Sequence, residues 1–362
     1  NAFVLGLIVT VIMTIASLLG MDWLLRIMQT PEDIFDMSKE YIVIICAGII
    51  FTTLYNLTAS ILRAVGNSKV PLYFLILSAL LNVVLDLFFI MVLSWGVAGA
   101  AIATVISQGV SGILCLVFLL TKVDILKLKK EHFKLDPVSA RIQLNIGIPM
   151  ALQFSITAIG TMILQAALNL LGSTVVASYT AACKVEQLVT QAFQAMGMTM
   201  ATYSAQNWGI HSTDRIRKGQ KTAMVLSCGY AVVIYFVVLA ILPFMTSLFF
   251  DGDLTTVIGY VREYIQICGL CFIPLGMIFI YRNVLQGCGY ALFPTLGGVV
   301  ELVSRSVFAI IAARAMSYTG ICVANASAWV TAGIFLWIAY LFIMKDILKK
   351  DKERELQKKA DI

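Results

Sequence analysis

The chain is a succession of long apolar runs broken by short polar segments. A membrane span needs about 20 consecutive apolar residues. Ten runs reach roughly that length, at 2–20, 41–62, 70–94, 96–120, 142–170, 175–207, 222–250, 264–285, 293–313 and 321–344. The uncharged stretch 142–183 is too long for one helix, and Leu171-Gly172-Ser173-Thr174 is its natural turn. Barrel strands would alternate apolar and polar residues over about ten positions. These runs are continuous, so the pattern predicts an all-α membrane protein.

The polar segments give the orientation. Residues 122–140 form a basic stretch with Lys127, Lys129, Lys130 and Lys134, expected to lie as an amphipathic linker on the cytoplasmic surface. Alternating the spans from there puts 19 of the 26 Lys and Arg on the same side and 4 on the other, a positive-inside bias. The opposite loops carry Glu32, Asp33, Asp36, Asp251 and Asp253. The expectation is a multi-pass protein of the cell (inner) membrane with a charged cytoplasmic tail, 347–362. Stretch 2–20 is too long, and lacks the basic start, for a secretory signal peptide.

The chain also repeats itself at an offset of 223 residues. Lys39-Glu40-Tyr41-Ile42 meets Arg262-Glu263-Tyr264-Ile265, Leu62 meets Leu285, Gly66 meets Gly289 and Pro71 meets Pro294. One inserted residue later, Gly96 and Ala100 meet Gly320 and Ala324. The matched spans are six apart, so both copies point the same way, a parallel repeat. The second copy starts near Arg141, which places the start of the first on the order of 80 residues before Asn1. The expected architecture is a two-lobed bundle of parallel six-helix repeats, the first lobe represented by four helices; a ten-helix protein is the competing reading. The lobes are 1–121 and 141–346.

Composition agrees: 60% of residues are apolar and 13% charged, with mean hydropathy +0.92. A soluble domain carries nearer a quarter charged. The net charge of +6 follows the loops and implies no nucleic-acid partner. All eight cysteines lie in or beside apolar runs, and Cys268-Gly-Leu-Cys271 reads as structural despite its redox-motif spacing. The two histidines, His132 and His211, sit in loops, so no nucleophile–base set or His–Glu metal pair falls in a span. An enzyme is not expected, nor a cofactor.

Ionisable and amide side chains inside spans stand out, because a charge at bilayer depth costs about 2.5–3.5 kcal/mol on insertion scales. Asn82 and Asp86 share a helical face at i and i+4. They either bind a cation or proton or hydrogen-bond a neighbouring helix. Glu301 and Arg305 stand four apart and can pair, as a structural pair or a gating or substrate contact. The repeat sets Ser78 and Asn82 opposite them, so the scaffold does not require the pair. These four are the ion-coupling candidates. Glu186, Gln187, Gln191 and Gln194, with Lys184, put polar groups on the sixth span; Gln153, Thr157, Gln165 and Asn169 line up by turns on the fifth. These read as cavity wall or as helix–helix hydrogen bonding. Arg282 is expected to reach the membrane surface.

Two signatures, Asn82 to Asp86 with Trp95-Gly96 to Thr104, and Leu62-Arg63-Ala-Val-Gly66-Asn67, together with Gly147-Ile-Pro149-Met-Ala-Leu-Gln153, resemble the multidrug and toxic compound extrusion (MATE) transporters over nearly the whole chain. The resemblance implies export of amphipathic, often cationic organic compounds, driven by inward Na⁺ or H⁺ through alternating access, from a monomer in the lipid bilayer. A lipid-linked precursor flippase of the same superfamily is the alternative. The acids that familiar members carry in their seventh and tenth helices fall here near Thr157 and Leu275.

Overall fold

The computed structural model describes residues 1–27, 32–123, 135–248 and 254–360. Among these the regular structure is helical. It divides into two compact units, Asn1–Gln143 and Leu144–Ile362. The linker 122–140 and the acidic loop with Asp251 and Asp253 lie largely outside the described residues.

In the first unit, α1 (Ala2–Ile27), α2 (Glu32–Ala47), α3 (Ile49–Ala64), α4 (Lys69–Leu87) and α5 (Gly96–Lys122) follow in order. A π-helical turn, Phe88–Val92, continues α4. α5 packs against α2, α3 and α4, and α1 against α2 and α3. The second unit holds most of α6 (Pro137–Asn169), then α7 (Ser173–Gly209), α8 (Thr213–Ser247), α9 (Leu254–Gly269), α10 (Phe272–Gly287), α11 (Leu292–Arg314) and α12 (Tyr318–Ala360). α12 packs against α9, α10 and α11, and α8 against α9 and α10. The pairing plan is that of the first unit. Helix α12 runs on through the charged tail to Ala360, as Lys- and Glu-rich sequence favours.

The repeat is visible residue by residue. Moved by 223 positions, α3 lands on α10, and α4 starts where α11 starts. Both α3 and α10 end on a left-handed glycine, Gly66 at φ +88 and Gly289 at φ +85. Each is closed by the same pair of bonds, Asn67 N to Leu62 O and Tyr290 N to Leu285 O, both 2.9 Å, with Gly66 N to Arg63 O and Gly289 N to Gln286 O. This six-to-one closure is the Schellman pattern, which needs φ > 0. The main helix crossing repeats too. A Cβ added at Gly109 of α5 would meet the Phe51 ring at 3.3 Å, and one at Gly333 of α12 would meet the Pro274 carbonyl at 3.0 Å.

The span count differs from the sequence expectation of ten. Among the described residues seven helices are long and apolar enough to cross a membrane, and nine if each of two bent pairs is one span. The helix that falls short is α7, which has the length but carries Lys184, Glu186, Gln187, Gln191 and Gln194. The runs 41–62 and 264–285 are not simple rods. Ile34–Ala47 meets Ile49–Ala64 at 43°, and Val257–Gly269 meets Phe272–Gly287 at 53°. Glycine permits both bends: Val105 presses to within 2.4 Å of where a Gly48 Cβ would stand, and Tyr235 to 2.5 Å at Gly269.

Apolar side chains crowd the outside. Leu19, Leu80, Met91, Val225 and Phe342 are exposed, as a lipid-facing surface requires. The core of the second unit is the larger, with Phe193, Tyr264, Phe272 and Leu242 fully buried.

Candidate functional site

The second unit contains a cavity of about 270 Å³ walled by α6, α7, α10, α11 and α12. Its apolar walls are Leu275, Ile278, Phe279 and Trp329; its polar lining includes Thr157, Glu186, Gln187, Arg282, Glu301, Arg305 and Asn325. Thr157 and Leu275, the positions where the resemblance sets the family's acids, both face this space.

Two connected polar sets meet there. In the first, Glu301 and Arg305 are neighbours on one face of α11, as their spacing predicts. Arg305 Nη2 donates to Glu301 Oε1 at 2.7 Å. Arg282 of α10 reaches the other oxygen, Oε2, from Nη2 at 3.4 Å. One carboxylate thus serves two guanidinium groups. Gln153 of α6 is buried, and with its amide oxygen turned to Arg282 it accepts from Nη1 and Nε at 3.1 Å each. The expectation that Arg282 extends to the membrane surface is therefore overturned. Its side chain is 13% exposed and turns inward, because Glu301 and Gln153 offer partners that compensate desolvation. Arg305 is 3% exposed, and its Nε and Nη1 have no acceptor.

In the second set, the Tyr264 hydroxyl of α9 donates to Glu186 Oε2 of α7 in a short bond. Tyr264 in turn accepts from Asn325 Nδ2 of α12 at 2.8 Å. The donor chain from Asn325 through Tyr264 ends on the accepting carboxylate of Glu186 at the cavity wall. Sequence reasoning flagged Glu186 but missed Tyr264 and Asn325. The signal present was a lone Asn in the apolar run 321–344.

Most of the other expected cavity residues lie elsewhere. Gln165 and Asn169 are exposed and bonded to each other, Nε2 to Oδ1 at 2.8 Å, outside this cavity. Gln187 lines it, whereas Lys184, Gln191 and Gln194 are exposed beyond it. Cys268 and Cys271, at the α9–α10 bend, are free thiols.

Asn82 and Asp86 belong to the first unit, on α4. Both are half-buried. Asn82 Nδ2 and Asp86 Oδ1 are inaccessible to solvent and unpartnered, as is Ser107 Oγ of the adjacent α5. Ser78, one turn before Asn82, donates to the Ser107 carbonyl at 2.8 Å and so fixes this face of α4 against α5. The π-turn begins two residues after Asp86. Such turns occur mostly as single insertions inside α-helices, frequently at functional sites.

The MatE family model matches residues 1–88 and 149–311. A Bacillus subtilis protein named probable multidrug resistance protein YpnP is 32% identical over 199 residues, 54% of this chain and 43% of the relative. A second from the same organism, named probable multidrug resistance protein YoeA, is 24% identical over 365 residues, 98% of this chain and 77% of the relative. The chain thus spans under half of the first relative's length. The solved structure of a MOP superfamily transporter from Pyrococcus furiosus has the same fold, with a TM-score of 0.89 at 20% identity over 95% of this chain and 77% of that one. On the extent of the family match, this chain belongs to the MatE family of membrane transporters.

Proposed function

We propose that this protein is a secondary active exporter of amphipathic organic compounds, cations among them, driven by inward movement of Na⁺ or H⁺ through alternating access. One observation carries the coupling half of the reading. Asp86 sits in a membrane-spanning helix with a buried carboxylate oxygen that no donor satisfies, beside an equally unsatisfied Asn82 amide. A carboxylate in that state gains from a proton or a cation, and a site that changes charge when loaded biases one arrangement of a transporter over another. The names of the Bacillus relatives support drug-like cargo. The cavity of the second unit is the cargo-facing candidate. The flippase reading gains little, because the cavity's two arginines are matched by two glutamates. The positive-inside bias favours a cytoplasmic C-terminus in the cell membrane.

The test is efflux from proteoliposomes of the full-length protein under an imposed Na⁺ or pH gradient. Asp86→Asn is expected to abolish gradient-driven efflux while the purified protein keeps its helical circular dichroism and thermal midpoint. Efflux at the wild-type rate by that variant removes Asp86 from coupling. The gradient that drives the wild type identifies the ion.

A further inference from the structure

We propose that the cavity of the second unit recognises the carboxylate of a small aromatic acid or zwitterion, docked on Arg305. The argument starts with what Arg305 lacks. A guanidinium has five donors and no acceptor. Here Nη2 is held by Glu301 at 2.7 Å, while Nε and Nη1, on a side chain 3% exposed, meet no acceptor. Buried cationic donors are normally paired, and leaving them unmade is costly. The nearest carboxylate is already divided between Arg305 and Arg282, so the trio carries one positive charge in excess. Glu186, the other acid of the cavity, is engaged by Tyr264. An oxyanion drawn to Arg305 as the side chain turns these enclosed donors toward the cavity supplies the missing acceptor and offsets the trio's excess charge, against the opposing charge of Glu186.

The walls define the rest of the ligand. Trp329, Tyr179 and Phe279 line the same space, and flat apolar walls favour a ring. A volume of about 270 Å³ is at the small end of ligand pockets, room for one or two fused rings and no lipid tail. Gly160 lets α6 pack close to the guanidinium: a Cβ there would stand 3.2 Å from Arg305 Nη1.

The inference rests on the exporter reading for its meaning as cargo, but binding is measurable without transport. Isothermal titration of the full-length protein in detergent would compare 1-naphthoate, 1-naphthylmethylammonium and inorganic phosphate. Naphthoate should bind, at least about tenfold more weakly in Arg305→Gln. It should bind several-fold more tightly in Glu186→Gln, which removes the opposing charge. Gly160→Val, which crowds Nη1 and leaves Arg305 in place, should weaken naphthoate too, covering the case in which Arg305→Gln does not fold. Equal naphthoate affinity in wild type and the Arg305 or Gly160 variant overturns the proposal. So does tighter binding of the ammonium, or phosphate binding as well as naphthoate, which would mark a bare anion site. Naphthoate bound but never exported would sink the exporter reading and leave the site standing. Efflux of a cationic dye with no naphthoate binding would do the reverse.

Discussion

The two units share one helical plan and differ in what they bury at equivalent positions. Where the second unit has Arg282, Glu301, Arg305 and Asn325, the first has Ala59, Ser78, Asn82 and Ala101. Ala59 and Ala101 are fully buried, and Ser78 spends its hydroxyl on the Ser107 carbonyl. Tyr264 is buried in a hydrogen-bond chain, whereas its counterpart Tyr41 is 37% exposed. The first unit in turn has the π-turn after Asp86, while α11 stays α-helical over the equivalent positions to its end at Arg314. The scaffold is therefore indifferent to these side chains. A charge network is not needed to hold α10, α11 and α12 together, since α3, α4 and α5 pack the same way without one. That lesson favours function over support for the cluster in the second unit.

The sharpest way to break this comparison is Glu301→Gln. It leaves Arg282 and Arg305 without their shared carboxylate, and breaking a buried pair costs about 3–5 kcal/mol. Thermal unfolding in detergent should report the loss. The set carried by the first unit, Arg282→Ala with Glu301→Ser and Arg305→Asn, should recover most of it while abolishing naphthoate binding. If the triple variant is as unstable as Glu301→Gln, the scaffold does depend on the charges.

The repeated crossing gives a smaller effect. Gly333→Ala drives a Cβ against the Pro274 backbone carbonyl at 3.0 Å, which cannot move without its helix, and should cost about 2 kcal/mol. Gly109→Ala meets only the Phe51 ring edge at 3.3 Å and should cost less. Equal losses would mean that the two crossings are equally rigid. Tyr264→Phe should cost about 1–2 kcal/mol, since Glu186 loses its donor and Asn325 its acceptor. Tyr41→Phe should stay within about 0.5 kcal/mol by the same melting assay. At the low end of the measurable losses, Gly66→Ala and Gly289→Ala should each lower stability by about 1 kcal/mol, and by matching amounts, because both hold the same left-handed closure.

Much of the fold was legible from the order of residues. Apolar run lengths located most spans, and the offset of 223 carried the helix starts and the glycine closures from one unit to the other. The pairing of Glu301 with Arg305 followed from helical spacing alone. The bends at Gly48 and Gly269 did not, because a glycine marks a bend only where a neighbouring helix presses against it, and here the pressure comes from Val105 and Tyr235. Nor did α7 fit the span count, since its polar residues serve a cavity and an exposed face rather than lipid.

The sequence alone determined the membrane-spanning helices, their repetition and the residues that share a face of any one helix. Each follows from local periodicity and from the cost of placing polar groups in hydrocarbon. Only the tertiary structure decided that Arg282 turns inward to Glu301, that Tyr264 links Asn325 to Glu186, and that a carboxylate oxygen of Asp86 is left without a donor. Those contacts join residues distant in the chain, and their energies depend on which helix faces which, a relation that no spacing along one helix encodes.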